Sequence, residues 1–382
     1  MKIALDLRRI ENLGIGRYMK CLTKALVTEC PEHEYLLILP PGAEQVIDDS
    51  ANVQKLVCWQ KYYSLREQLA LPKILRRHNI DVLHAPHFNF VLASPCPCVV
   101  TIHDVVYLAC PEDLPSSAGR IYYRGMMNAA VRFADKLITD SQFSREEIRR
   151  WVKPDAEPEV IYPGIDHNFA VVNDDAQILN VKSRFGIERE YILYTGIYKP
   201  RKNHAGLLSA FRNFLDRGGD ADLVIAGPLK HGQSELRRLA SQLRITDRVI
   251  FTGFVPECDL PALYSGARVY ACPSLYEGFG FTVLEAMACG APVVCSRGSS
   301  LREVAGKAAI YANARDADEF GSALHRAFTG KALRTELQQN GRANAAQYSW
   351  RTTALQTLAV YRQAAENRTR QPAAKGTGVC AG

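Results

Sequence analysis

Short apolar runs alternate with helical patterns along most of the chain. In the first half, the runs predict strands near 2–7, 34–39, 53–58, 80–84, 98–102, 136–140 and 158–162. Apolar positions at a helical period predict helices near 15–29, 65–78, 119–134 and 143–151. Strands that alternate with helices in this way are typical of βα units that build a parallel sheet. We therefore expect an α/β fold.

The segment 166–190 interrupts this pattern, because it is polar, acidic and weakly periodic. We interpret it as the connection between two domains. The alternation then resumes, with strands predicted near 191–195, 222–226, 248–252, 268–272, 292–296 and 308–311. Helices are predicted near 204–216, 234–243, 259–266, 282–289, 317–328, 331–346 and 350–364. Two such halves favour two doubly wound, Rossmann-like domains that face each other across a cleft, where ligands commonly bind.

We place the first domain at 1–170 and the second at 185–346. Two domains also agree with the length of 382 residues, which exceeds one ordinary core. Residues 367–382 lack an apolar face, and we expect them to form a flexible tail.

Charge and composition narrow the class of protein. The net charge of +7 favours anionic substrates or an anionic membrane surface, and by itself does not separate these from nucleic acid. No run of 18 uncharged apolar residues occurs, and the first residues have the pattern of a strand and not of a secretory signal. The eleven cysteines include no Cys-x-x-Cys pair, so we expect reduced thiols and a cytoplasmic location.

The segment from Leu275 to Ser296 carries the strongest functional signal. Glu277 and Glu285 lie on either side of a Gly-Phe-Gly loop, between a predicted strand and a predicted helix. In an open α/β sheet, ligands bind at the carboxyl ends of the strands, and a helix N-terminus offers N–H groups to an anion. Two carboxylates beside such a loop indicate a ligand that is part anion and part polyol, such as a sugar nucleotide.

The two glutamates also have structural interpretations. Thr282-x-x-Glu285 fits a capping box, with Thr282 as the N-cap and Glu285 at the third helical position. A cap and a ligand contact are compatible, because both place the carboxylate beside the helix N-terminus. Glu277 lies in the glycine-rich loop with no cap to satisfy, which favours a functional role.

Further candidates follow other predicted strands. Arg201 and Lys202 come soon after the first strand of the second domain, where they could neutralise a diphosphate or form a solvated basic turn. Gly14 and Gly16 lie between a strand and a helix, in a glycine turn that could touch a ligand. It does not complete a dinucleotide fingerprint. His103 ends another strand, where it could contact a sugar hydroxyl or move a proton.

The neighbours of His103 leave alternatives open. Asp104 could orient the imidazole or cap the next segment. His84 and His87 end another strand, and structural roles are preferred for both. Asp-x-Asp occurs at Asp220/Asp222 and at Asp316/Asp318, but neither pair follows a strand, so we assign both to structure and expect no essential metal.

At these residues the chain resembles the large family of retaining glycosyltransferases with the GT-B fold, often called family 4. The resemblance covers nearly the whole chain, and the segments that carry it occur in the family's order: DLRRIENLGIGRY, VVTIHDVVYLACPE, DSQFSREEI, VIYPGID, YTGIYKPRKN, VIAGP, FTGFVPECDLPALYSGA and CPSLYEGFGFTVLEAMACGAPVVCS. The last contains the family's E-x7-E motif. The RKN and HDVVYL segments are most similar to bacterial mannosyltransferase-like members that act on cell-surface polysaccharide or lipid-linked glycans.

The resemblance implies roles for the residues of the second domain. The donor sugar would be held by one carboxylate and three backbone groups, those of Glu277, Gly278, Phe279 and Gly280. The diphosphate would meet the amides of Phe281 and Thr282, and Glu285 would bind the ribose. The nucleotide base would lie at Phe254 and Val255.

The same resemblance assigns the chemical step. Arg201 and Lys202 would support the leaving nucleoside diphosphate, His103 would contact the transferred sugar, and Gly14 to Gly16 would lie over the phosphates. Many members carry an arginine where this chain has Ile197, so the phosphate cluster would depend on Arg201 and Lys202 alone. The helix near 350–364 would return to pack on the first domain.

The resemblance thus implies a metal-independent retaining hexosyltransferase that needs no cofactor. Its donor would be a nucleoside-diphosphate sugar, with GDP-mannose favoured. Its acceptor would be a glycan or a lipid-linked glycan, bound on the first domain, in cell-surface polysaccharide synthesis. No nucleic acid is expected, and peripheral association with the anionic inner-membrane surface stays open. The alternatives are a sugar-nucleotide epimerase or phosphorylase on the same fold, or a non-catalytic nucleotide-sugar binding protein.

Overall fold

The computed structural model describes residues 1–114, 116–229 and 232–370. Within these residues, the strands form two separate parallel sheets, one of seven strands and one of six. Helices cover both faces of each sheet. The two doubly wound domains predicted from the sequence are therefore confirmed, and they face each other in the GT-B arrangement.

The first sheet has the strand order β3-β2-β1-β4-β5-β6-β7. Its strands are β1 (Lys2–Asp6), β2 (Glu34–Leu39), β3 (Val53–Val57), β4 (Val82–Ala85), β5 (Cys98–Thr101), β6 (Lys136–Thr139) and β7 (Glu159–Val160). The strand order reverses between β1 and β4, and ligands bind at such a switch point in open α/β sheets.

Five helices belong to the first sheet: α1 (Leu13–Glu29), α2 (Leu65–Arg77), α3 (Val106–Ala109), α4 (Ser117–Phe133) and α5 (Gln142–Val152). On one face, α1 packs with the C-terminal helix α14 (Trp350–Arg370) around Leu22 and Leu358. On the other face, α2, α4 and α5 bury Leu71, Met127 and Ile148 in a second apolar layer.

The second sheet has the order β10-β9-β8-β11-β12-β13. Its strands are β8 (Tyr191–Thr195), β9 (Asp222–Ala226), β10 (Val249–Gly253), β11 (Val269–Cys272), β12 (Val293–Ser296) and β13 (Ala309–Ala312). The accompanying helices are α6 (Asp175–Arg184), α7 (His204–Asp216), α8 (Gln233–Gln242), α9 (Leu260–Ser265), α10 (Phe281–Ala288), α11 (Leu301–Ala305), α12 (Ala317–Thr329) and α13 (Lys331–Ala345). The switch point of this sheet lies between β8 and β11.

The connection between the domains is more ordered than its composition predicts. Helix α6 forms within the polar segment 166–190, because Asp174 caps it by accepting from the N–H of Ala176 and Val181 packs into the second domain. The short helices α3 and α11 were also not predicted. Each is too short to show a helical period in the sequence.

The chain crosses between the domains twice, and the two crossings are bonded to each other. The Thr353 hydroxyl donates to the Tyr162 carbonyl (2.8 Å), and the Ile165 N–H donates to the Tyr348 carbonyl (3.1 Å). At Gly164 the crossings touch, since a Cβ atom there would come 2.1 Å from the backbone nitrogen of Trp350.

After the second crossing, α14 lies on the first domain, where the Tyr361 hydroxyl is 2.6 Å from Nδ1 of His84. The helix continues to Arg370, so the first residues assigned to a flexible tail are helical; residues 371–382 lie outside the described part. Among the described residues, no helix combines the length and the hydropathy needed to cross a bilayer.

Candidate active site

Loops that follow β8 and β11 meet at the switch point of the second sheet. The loop after β11 holds Glu277 and ends at Gly280, which adopts φ +103° and is the N-cap of α10. A glycine is favoured there because a side chain strains this backbone conformation. The capping box predicted for Thr282 and Glu285 is wrong: Thr282 is the second residue of α10, and its N-cap makes no side-chain hydrogen bond. The N-cap residue of α10 therefore leaves the N-terminal amides of the helix without a capping side chain.

Glu277 lies between two cations. Its carboxylate accepts from Nζ of Lys202 (2.5 Å) and from Nη1 of Arg201 (3.3 Å), and it is buried. Burial alone would raise the pKa of Glu277, but Lys202 and then Arg201 outweigh burial and lower the pKa below its ordinary value. The carboxylate is therefore ionised at neutral pH.

A short 3-10 turn after β8 presents both cations. Asn203 follows the turn in a left-handed conformation and caps α7 through the N–H of Gly206, which fixes the end of the turn. The Arg201 carbonyl also accepts from the N–H of Leu275 (2.7 Å), so the two loops are bonded to each other. The structure thus brings Arg201, Lys202 and Glu277 together. Their positions in the sequence did not show this contact.

Asp113 of the first domain is a site residue that sequence reasoning missed. Its carboxylate accepts from Nε of Arg201 (2.7 Å), and its carbonyl accepts from Nζ of Lys199 (2.9 Å). Asp113 is buried between the two domains. Burial opposes the charge of Arg201, but Glu277, Asp104 and Asp113 raise its pKa, so the guanidinium stays charged. No motif marks Asp113, because the contact depends on the docking of the domains.

His103 lies opposite this cluster, on the first domain. Nδ1 is 2.7 Å from a carboxylate oxygen of Asp140, and Nε2 is 3.1 Å from the carbonyl of Pro86. Burial alone would lower the pKa of His103, but Asp140 and the Pro86 carbonyl outweigh it and raise the pKa. Asp140, and not Asp104, orients the ring. Asp104 instead accepts from the N–H of Val106, which agrees with its capping alternative.

The backbone of His103 and the loop after β11 approach closely across the cleft. A Cβ atom on Gly278 would lie 2.8 Å from Cβ of Asp104 and 3.1 Å from the His103 carbonyl oxygen. The Gly278 carbonyl accepts from the hydroxyls of Ser141 (2.7 Å) and Ser144 (3.0 Å) in the first domain. Only a glycine fits at 278 with the cleft in this arrangement.

Glu285 is the fifth residue of α10, in the second domain. It accepts from the Tyr264 hydroxyl (2.9 Å) and from Nη1 of Arg17, which belongs to α1 of the first domain. Burial raises the pKa of Glu285, although Arg17 and Tyr264 act in the opposite direction. Arg17 also contacts Glu257 (3.1 Å). In the sequence, the only signal for Arg17 was its position directly after Gly16.

The remaining predicted residues surround this core. Gly14 and Gly16 lie within the first turn of α1, which begins earlier than predicted. A Cβ atom on Gly16 would come 2.1 Å from the Ile10 carbonyl oxygen, whereas Gly14 has open space around it. Phe254 is 66% exposed on the rim of the second domain, and Val255 beside it is buried.

The loop itself contains two aromatic side chains. Phe279 is buried and contacts the ring of Phe281 edge to face, with 5.1 Å between the centroids. Phe281 packs against the apolar cores of both domains, and Thr282 follows it half-buried. These contacts fix the backbone between Gly278 and Thr282.

Both Asp-x-Asp pairs make structural contacts. Asp316 caps α12 by accepting from the N–H groups of Asp318 and Glu319, as predicted. Asp220 and Asp222 pair with Arg248. In the described ranges, no group of three or more His, Cys, Asp or Glu side chains has the arrangement of a metal site.

Known proteins resemble this chain over almost its whole length. The family model "Glycosyltransferase Family 4" matches residues 14–169, and "Glycosyl transferases group 1" matches residues 176–344. The chain is 32% identical to the O-antigen chain mannosyltransferase B of Escherichia coli over 367 residues, which cover 91% of this chain and 96% of that protein.

Two solved structures have the same fold. Sucrose-phosphate synthase from Thermosynechococcus elongatus superposes with a TM-score of 0.77 at 22% identity, over 95% of this chain and 98% of that one. HepE from Anabaena, solved with UDP and glucose, gives 0.76 at 21% identity, over 95% and 100%.

Proposed function

Because this chain belongs to the family 4 group of glycosyltransferases, we propose that it transfers mannose from GDP-mannose to a glycan or lipid-linked glycan with retention of configuration and without a metal. The proposal includes action on the cytoplasmic side of the membrane, in cell-surface polysaccharide synthesis. The mannosyl donor follows from the similarity to the E. coli mannosyltransferase.

One observation carries the proposal: Glu277 contacts Lys202 and Arg201 beside the uncapped N-terminus of α10. A sugar–phosphate bond that breaks leaves negative charge on the diphosphate and positive charge on the sugar ring. Preorganised cations and helix amides stabilise the first charge, and the ionised Glu277 lies where it can stabilise the sugar side.

The chain's residues suggest how transfer proceeds. Lys202 and Arg201 hold the departing phosphate, so an acceptor hydroxyl can attack the anomeric carbon on the face from which the phosphate leaves. The hydroxyl proton passes to the departing phosphate oxygen, which balances the step. Each ring nitrogen of His103 already has a hydrogen-bond partner, which favours a role in positioning the sugar over one in proton transfer.

Calorimetry with GDP-mannose, GDP, UDP-glucose and UDP tests the donor. We expect a preference for the guanine nucleotides, and binding that is weaker by about tenfold or more in Lys202→Met. Lys331→Met, at an exposed lysine of α13, is the matched control and should bind as the wild type does. Equal binding of UDP and GDP would refute the guanine donor.

Transfer to octyl α-mannoside in EDTA tests the reaction. We expect an α-linked product by NMR and an undiminished rate. A β-linked product would refute retention. A rate that falls in EDTA and recovers when Mg²⁺ is added would refute metal independence.

A further inference from the structure

We propose that Glu303 of the second domain is a positioning residue for sugar transfer. It holds the N-terminus of α5 in the first domain, and α5 in turn holds the loop after β11, which carries Glu277. Glu303 would thus act through α5 and not by touching the substrate. The inference deepens the proposed function and rests on it in one respect, namely that the donor sugar binds at this loop.

The Glu303 carboxylate caps a helix of the other domain. One oxygen accepts from the N–H of Gln142 (2.7 Å), and the second accepts from the N–H of Phe143 (3.0 Å), at the first two residues of α5. The first N–H groups of a helix have no acceptor within it, and the helix dipole favours a negative charge beside them. The Tyr162 hydroxyl, at the first crossing between the domains, donates to the same carboxylate (2.6 Å). Three donors therefore fix the orientation of this carboxylate.

The same end of α5 contacts the loop after β11. Ser141 is the N-cap of α5, and its hydroxyl donates to the Gly278 carbonyl (2.7 Å). The Ser144 hydroxyl donates to the same carbonyl (3.0 Å), and both serines are fully buried. The ring of Phe143 contacts the ring of Tyr276 edge to face, with 5.3 Å between the centroids. Helix α5 therefore holds the residues on both sides of position 277.

Helix α11 is bonded to the loop as well as to α5. Ser300 is the N-cap of α11, and its hydroxyl is 2.9 Å from the Glu277 carbonyl oxygen and 2.8 Å from that of Phe279. Glu303 follows three residues later on the same short helix. The loop, α5 and α11 therefore form a closed triangle of contacts, here called the α5–α11 triangle, in which each member is bonded to the other two.

One corner of the α5–α11 triangle belongs to the first domain, and the other two belong to the second. Without the Glu303 carboxylate, α5 loses its bonds to α11, and its two hydroxyls no longer meet Gly278 at a fixed distance. The loop then gains freedom to move with Glu277 on it, and a small misplacement of such a group is costly for the chemical step. The groups that would bind the base and the ribose lie on the second domain, so GDP binding depends less on this contact than transfer does.

Steady-state transfer from GDP-mannose to octyl α-mannoside, together with calorimetry of GDP, tests the proposal. Glu303→Gln should lower kcat by about tenfold or more, while the Kd of GDP changes by less than about twofold. Glu303→Asp keeps the charge and should recover part of kcat. Glu319→Gln loses a surface pair with Arg297 within the second domain, and as the matched control it should keep wild-type values.

A double variant separates positioning from a general loss of stability. Ser144→Ala removes one of the two hydroxyls on the Gly278 carbonyl and should also lower kcat. If both changes act through the loop, Glu303→Gln/Ser144→Ala should lose less than the product of the two single losses. A loss equal to that product would place the effect of Glu303 elsewhere and overturn the proposal. Wild-type kcat in Glu303→Gln, or GDP binding that weakens as much as kcat falls, would overturn it as well.

Amide hydrogen exchange of the segment 275–281 reports on the loop without any transfer. We expect this segment to exchange about tenfold faster in Glu303→Gln than in the wild type or in Glu319→Gln, because it opens locally more often. Unchanged exchange would overturn the proposal. Faster exchange in Glu303→Gln, with a wild-type protein that transfers no mannose, would leave Glu303 as the residue that holds the loop and refute the proposed function instead.

Discussion

The guanidinium of Arg17 and the carboxylate of Glu285 form an ion pair that joins the two domains across the cleft. Arg17 is the fifth residue of α1, and Glu285 lies on α10, which follows the loop that holds Glu277. If Glu285 binds the donor ribose, as the family resemblance implies, then the closed cleft and the bound nucleotide depend on the same carboxylate. Arg17 therefore affects the ionisation of Glu285 as well as domain closure.

Replacing Arg17 should change the pH dependence of donor use. Burial already raises the pKa of Glu285, and Arg17 limits the increase. In Arg17→Gln the pKa of Glu285 rises further. As the pH falls, the ionised carboxylate, which accepts from ribose hydroxyls, is therefore lost at a higher pH than in the wild type. The acid limb of kcat/KM for the donor should shift to higher pH.

Glu257→Gln is the opposite test, because the charge of Glu257 raises the pKa of Glu285 whereas Arg17 lowers it. Its acid limb should not move to higher pH and should shift, if at all, to lower pH. An unchanged acid limb in Arg17→Gln would contradict the coupling.

The two glutamates of the loop and helix should differ in their kinetic effects. Glu277→Gln should lower kcat by about a hundredfold, because the charge that stabilises the positive sugar ring in the transition state is lost. Glu285→Gln should mainly raise the donor KM, since ribose binding is equal in the ground state and the transition state. Steady-state kinetics of both variants would show this split, and a larger loss of kcat in Glu285→Gln would reverse the assignment.

Asp113 should matter for turnover although it lies on the other domain. Asp113→Asn keeps the side-chain shape but removes the charge that holds Nε of Arg201. We expect kcat to fall by about tenfold, in proportion to one charge-assisted hydrogen bond. Glu112→Gln, an exposed neighbour in the same turn, is the matched control. Wild-type turnover in Asp113→Asn would show that Arg201 needs no support from the first domain.

The contact between Tyr361 and His84 should stabilise the first domain without affecting donor binding. Burial, with a smaller effect of His103, lowers the pKa of His84 to about 3, so the ring is neutral. Tyr361→Phe leaves a buried ring nitrogen without its partner, which costs about 1–3 kcal/mol. Denaturant unfolding should show a lower midpoint, whereas Tyr198→Phe, which loses an exposed bond to Glu235, should change little. Equal midpoints for both variants would contradict this.

The strands could be predicted from the sequence because they are buried runs. Tyr191–Thr195 and Asp222–Ala226 are buried at every position, and both agree with their predicted ranges. Helix α6 could not be predicted in this way, because it buries little more than Val181. The start of α10 was also missed, since it depends on the left-handed conformation of Gly280 and on no side-chain cap.

The partners within the site could not be predicted for a different reason. Arg17 and Glu285 are 268 positions apart, and Asp113 and Arg201 are 88 apart. Each pair forms only where the two domains meet. Motifs indicated which loops face the ligand, but the orientation of His103 by Asp140 depends on the register of β5 and β6, which no local pattern encodes.

The contact at Gly164 has a mechanical consequence. Because the two crossings are bonded side by side there, they restrain the domains to rotation about one line and prevent them from sliding apart. The angle about that line determines whether Arg17 reaches Glu285 and whether Gly278 fits against Asp104. A position without a side chain thereby fixes the line about which the cleft can open.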